Sequence, residues 1–95
     1  MEKFKLDEQS TAFFLDVPGS KVVLLQAIFE TYEGVALVRT LDVKNSLVAI
    51  VTTNDFEHEV LDILNDIKEN INWRPFLNVP QEALDNFEGF WKKGI

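Results

Sequence analysis

Apolar residues along this chain follow two rhythms, and the rhythm changes where Gly, Pro or Asn interrupts it. Residues 11–17, "TAFFLDV", are a short apolar run with polar residues before it and Pro-Gly after it, which predicts a strand. Pro18 suits a first helical position, where its missing N–H costs nothing. Apolar residues then recur at Val22, Leu25, Ile28, Phe29 and Tyr32, the spacing of one helix face, so a helix is expected over 19–33. Gly34 falls where a left-handed C-terminal cap is wanted. "VALVRTLDV" (35–43) and "SLVAIVTT" (46–53) are rich in β-branched residues and read as a hairpin, with Asn45 suited to positive φ in the connection. A second helix starts at Asn54, a capping residue with Glu57 three positions later as in a capping box. Phe56, Val60, Ile63, Leu64, Ile67 and Ile71 mark its apolar face, and it runs to residue 70. "RPFLNVP" (74–80) reads as a last short strand between two prolines, at a sheet edge. "QEALDNFEGFW" suits a short helix with Leu84, Phe87 and Trp91 on one side, although Gly89 weakens it.

The order strand–helix–strand–strand–helix–strand is the split βαβ, or ferredoxin-like, arrangement. Right-handed crossovers then put both helices on one face of a four-stranded antiparallel sheet, an α+β two-layer sandwich with a C-terminal helical segment added. One domain is expected over residues 1–95: an N-terminal segment (1–10), a βαββαβ core (11–80) and a helical tail (81–95). The sheet face away from the helices should alternate to polar residues if it met water. Ala12, Phe13, Phe14 and Leu15 are instead consecutive apolar residues, as are Leu47 to Val51. That face needs a cover, either the tail through Leu84, Phe87, Phe90 and Trp91, or a second subunit. A homodimer with the tail in the same buried layer is the expectation.

Composition narrows the function by exclusion. A chain of 95 residues buries roughly 60–65% of its unfolded surface, enough to fold alone with little surplus. It has no cysteine, so disulfides and thiol chemistry are absent. No apolar run approaches the ~20 residues that span a bilayer. The opening "MEKFKLDEQS" lacks the apolar core of a signal peptide, and a cytoplasmic location is expected. Nine Lys and Arg against sixteen Asp and Glu give a net charge of −7, with Lys92-Lys93 the only basic pair. Nucleic acid and anionic membrane are therefore disfavoured partners.

Few residues are arranged for chemistry. RNA-binding versions of this fold stack bases on aromatics of the central strands, and "SLVAIVTT" offers none. Metal carriers of this shape need a Cys pair. The sole histidine, His58, lies on the polar side of the second helix beside Glu57 and Glu59, where a solvated turn explains it better than a metal site. With one His, no Cys and no motif around any Ser, the chain reads as a non-enzyme with no cofactor and no catalytic or metal-ligating residue. Two constellations remain. At Asp16-Val17-Pro18-Gly19-Ser20, a Gly at a strand-to-helix junction lets a ligand approach the backbone, and free N–H groups there attract a carboxylate. Asp16 can accept from an amine, so an amino-acid-like molecule suits the corner. The structural alternative is that Pro18 and Gly19 shape the turn while Asp16 or Ser20 caps the helix. In the second constellation Glu30, Tyr32, Glu33, Arg39 and Asp42 gather polar groups around the end of the first helix and the next strand. Arg39, in an otherwise apolar row, either pairs with a carboxylate such as Glu33 or Asp42, or clamps that of a ligand. The tentative ligand-binding set is Asp16, Gly19, Ser20 and Arg39.

"DVPGSKVVLLQAIFE" resembles the opening of ACT domains, regulatory modules whose first strand runs through Asp-x-Pro-Gly into the first helix. That resemblance implies amino-acid binding at the corner with help from a neighbouring chain, and sheets that join between subunits. Against the ACT pattern, no attached catalytic or DNA-binding domain is expected for the module to regulate. Over residues 11 to 71, "AIFETYEG", "VRTLD" and "TTNDFEHEVLDILNDIKENI" are similar to a small family of uncharacterised bacterial domains of unknown function. Glu30, Tyr32, Glu33, Gly34, Arg39, Thr40 and Asp42 carry that likeness, which implies a fold and no activity. The expected function is an ACT-like, homo-oligomeric module binding a small amino-acid-like metabolite in a regulatory role. The alternative is a protein-interaction module without a small ligand.

Overall fold

A computed structural model describes the backbone of residues 3–93 and the side chains of residues 3–87. The strands are β1 (Phe4–Lys5), β2 (Ser10–Asp16), β3 (Ala36–Asp42), β4 (Leu47–Thr53) and β5 (Arg74–Pro75). The helices are α1 (Val22–Glu30), α2 (Glu57–Asp66), α3 (Lys68–Ile71) and α4 (Gln81–Lys93), with single 3-10 turns at Gly19–Lys21 and Asn54–Phe56 leading into α1 and α2. All strand pairs are antiparallel, in the order β1-β2-β4-β3, and β5 also pairs with β2. The chain is thus α+β, as its alternation of periods predicts.

The sheet has five strands, not four. The addition is β1, whose Phe4 and Lys5 stand opposite Ala12 and Thr11. Two residues in a polar N-terminal segment carry no readable period, and tertiary bonds hold them. Lys3 Nζ donates to Glu57 at 2.9 Å and Lys5 Nζ donates to the Asn54 side chain. The expected capping box is therefore absent. No side chain caps the turn at Asn54, because Glu57 and Asn54 accept from the N-terminal lysines and Asn54 donates to the Glu8 carbonyl. Three further details differ from expectation. The first helix ends at Glu30, with Gly34 at φ +77° in the turn after it. Ser46, rather than Asn45, takes positive φ in the hairpin, while Asn45 donates to both carboxylate oxygens of Asp42. The last strand shrinks to two residues beside β2, extended by one bond from Phe76 N–H to the Phe14 carbonyl.

Two apolar layers sandwich the sheet. Phe13, Leu15, Val48 and Ile50 face Leu25 and Phe29 of α1, Val60, Ile63 and Leu64 of α2, and Ile71 and Trp73. Trp73 is anchored there by its indole N–H, which donates to the Leu64 carbonyl at 2.7 Å. The alternate residues Ala12, Phe14, Leu47, Ala49 and Val51 pack against Phe87, with Ala83 and Leu84 of α4 and Phe4, Leu6, Phe76 and Val79 around them. Both faces of the central strands are apolar, and the C-terminal helix supplies cover for the second. Phe90 and Trp91, expected in that cover, lie outside the described side chains.

Candidate functional site

The four residues singled out as a ligand site fall in two places. Asp16 closes β2, half-buried, with Leu47 opposite on one side and Arg74 on the other. Gly19 and Ser20 are exposed in the 3-10 turn that follows Pro18. No side chain caps this turn or α1, so neither Asp16 nor Ser20 acts as the cap. Gly19 has no positive φ, and a β-carbon placed on it would meet nothing within 4 Å. Neither strain nor crowding demands glycine there.

Arg39 lies on the sheet face turned toward α4, opposite Ala49 in the ladder. With Thr40 and Leu41 it forms one wall of a cavity of about 220 Å³, and Ala83, Asn86 and Phe87 of α4 form the other. Asp16, Gly19 and Ser20 do not line it. Thr40 stands opposite Val48 of the α1 layer, so its hydroxyl turns to that side, and the cavity combines the Arg39 guanidinium and the Asn86 carboxamide with apolar neighbours. Thr40 and Asp42 flank a register irregularity in β3, which turns Asp42 toward Leu47 and leaves Leu41 beside the cavity. Asn86 was not foreseen. Its helix meets the strand only through tertiary docking of α4, and a carboxamide on a helical tail has no local signal.

On the other flank of α4 a larger groove of about 840 Å³ opens between β1, the residues after β5 and Leu84. Elsewhere the polar groups serve the fold. The buried Thr11 hydroxyl donates to Glu57 at 2.8 Å. Bonds from Lys3 and then Thr11 hold the Glu57 carboxyl below its usual range, against a smaller opposing effect of burial. The side-chain and backbone N–H groups of Asn45 lower that of Asp42 in the same way. His58 is exposed and lies 3.5 Å from Asp62 one turn along α2. Among the described residues no group of three or more His, Cys, Asp or Glu is placed to hold a metal ion. No helix among them is long and apolar enough to cross a membrane.

No curated protein and no solved structure matches the chain. The profile of one family, described as "Domain of unknown function (DUF4911)", matches residues 15–71. That span runs from the end of β2 through α3 and includes Asp16, Gly19, Ser20 and Arg39, whereas β1 and α4 lie beyond it. The match covers more than half of the chain, which therefore belongs to the DUF4911 family of domains of unknown function.

Proposed function

We propose that this chain is a non-catalytic, ACT-like regulatory module that binds a small amino-acid-like metabolite at the Arg39 cavity. The observation that carries the reading is the meeting of Arg39 and Asn86 around about 220 Å³ of space. A guanidinium is a planar fork that can grip a carboxylate through two parallel bonds. Its five N–H donors let it serve a contact within the chain and a ligand together. The Asn86 carbonyl can accept from an ammonium, and Leu41, Ala83 and Phe87 offer apolar contact to a side chain. A zwitterion fits that set. The ferredoxin-like reading of the core is supported by the spatial order β5, β2, β4, β3, with α1 and α2 each following one of the two central strands. In this reading β1 is an appendage on the edge.

Thermal shift of the parent, Arg39→Ala and Gly19→Val against a panel of amino acids tests the proposal. Ligand at about 100 times its dissociation constant stabilises the folded state by about 2.7 kcal/mol. The parent and Gly19→Val are expected to respond and Arg39→Ala to fail. A response lost only in Gly19→Val would move the ligand to the Asp16–Ser20 corner, which the open space around Gly19 also permits. A panel that leaves the parent unmoved would remove the small-ligand function.

A protein-interaction role is the second reading, and one surface favours it. α1 reads VVLLQAIFE, apolar nearly all round, and leaves Val23 74% and Leu24 43% exposed. Leu37 of β3 is also 56% exposed, but opposite Val51 on the other face of the sheet. α2 by contrast turns Glu59, Asp62 and Asp66 to solvent. A second copy of this chain laid along α1 would bury Val23 and Leu24, and a homodimer is the proposed assembly.

A further inference from the structure

β1 and β5 pair with the outer edge of β2, whereas β3 pairs with β4 alone among the described strands. One long edge of the sheet is therefore open. Two bonds fix which way its backbone groups point. Val17 N–H donates to the Ser46 carbonyl at 3.0 Å and Asn54 N–H to the Gln9 carbonyl at 2.9 Å, each pair continuing the β2–β4 register by one residue. Bonded pairs alternate along an antiparallel ladder, and successive residues of a central strand bond to its two neighbours in turn. Val48, Ile50 and Thr52 therefore bond to β2, while Ala49 and Val51 bond to Arg39 and Leu37. Ala36, Val38 and Thr40 turn their N–H and C=O groups to the open edge. We infer that this edge pairs antiparallel with β3 of a second copy of the chain, with the twofold axis at Val38.

The inference deepens the homodimer reading and rests on it. Three observations select a second copy. Natural sheets guard a free edge with Lys, Pro or a bulge, yet Ala36–Thr40 holds no Lys and no Pro, and the irregularity of β3 comes only after Thr40. The edge is also self-complementary, as a twofold contact requires. An axis at Val38 sets Val38 opposite itself and Ala36 opposite Thr40, so all three outward residues bond. Arg39 then stands opposite the second copy's Leu37, whose 56% exposed side chain can lie along the arginine stem. Moving the axis by one residue to Arg39 would set two guanidinium groups against each other, which is destabilising. Lastly, α1 packs against β3, so the same axis sets the two α1 helices side by side on one face of a continuous sheet. That is the helix whose Val23 and Leu24 are exposed. One interface serves the open edge and the apolar helix together.

Amide hydrogen exchange of the full chain, at a concentration where light scattering finds a dimer and after dilution to monomer, tests the pairing. The Ala36, Val38 and Thr40 amides are expected to exchange about tenfold more slowly in the dimer, and those of Leu37 and Arg39, bonded to β4 in either state, to change less. Cross-linking reads the register. The chain has no cysteine, so Leu37→Cys and Arg39→Cys each carry one thiol. Mixed and mildly oxidised, the two variants should form a disulfide, because their Cα atoms would lie about 4.5 Å apart across the axis. Leu37→Cys alone should not, with its two Cα atoms about 7–8 Å apart. A dimer whose Ala36, Val38 and Thr40 amides exchange as fast as in the monomer would overturn the pairing and leave a homodimer through α1 standing. A parent that is monomeric throughout would overturn both. Absence of the mixed disulfide would overturn the axis at Val38.

Discussion

Gly34 and Gly19 are glycines for different physical reasons. Gly34 takes φ +77°, where a β-carbon crowds the following carbonyl, at a cost of about 1–2 kcal/mol. Gly19 sits in open space with no such backbone. Gly34→Ala should therefore destabilise the fold by about 1 kcal/mol. Gly19→Ala should stabilise it by about 0.4–1 kcal/mol, because alanine removes freedom from the unfolded chain alone. Urea denaturation reads both, and the opposite signs are the test. Glu57 carries the second residue-scale prediction. Its folded pKa is held below its ordinary value of 4.5 by bonds from Lys3 and Thr11. A depressed carboxylate contributes stability that is present above its unfolded pKa and is lost as pH falls through the folded one. The parent should thus lose more stability than Glu57→Gln as pH falls below about 4.5, in denaturation curves taken along a pH series. Asp42, lowered by Asn45, has the same sign and leaves a residual slope in that variant.

Among the elements, α4 closes the second face of the sheet. It covers Ala12, Phe14, Leu47, Ala49 and Val51 with Phe87 at their centre, 3% exposed and edge-on to Phe14 at 6.0 Å. Phe87→Ala should cost about 3–5 kcal/mol, a large share of the ~5–15 kcal/mol that holds a domain together. Chemical denaturation followed by Trp73 fluorescence measures it. This element was readable before the structure because its partner surface was: two central strands apolar on both faces require a second cover. Strands β2, β3 and β4 were equally readable, since an apolar run ending at Pro-Gly and two β-branched runs ending at Lys-Asn-Ser and Asn-Asp leave little choice. β1 was not, because two residues of "FK" in a charged segment are ordered by Lys3, Lys5 and their distant acceptors. The Asn54–Glu57 box misled for the same reason: a local pattern lost its side chains to tertiary partners. Of the site, Arg39 was visible as a charge in an apolar row. Asn86 was not, because its place depends on where α4 docks.

For the whole molecule, the proposed homodimer rests on the exposed side of α1. Val23 is 74% exposed, so Val23→Glu should leave stability within about 0.5 kcal/mol of the parent. Light scattering at micromolar concentration should show a dimeric parent and a monomeric Val23→Glu. A monomeric parent would leave α1 without its second copy. The two proposals can fail separately, because the cavity lies between β3 and α4 of the same chain. The most direct test of the proposed function is amide NMR of the full chain titrated with an equimolar mixture of the standard amino acids. The account predicts shifts concentrated at Arg39, Thr40, Leu41, Asn86 and Phe87. A spectrum that stays unchanged, or one that moves only at residues away from this cavity, would contradict it.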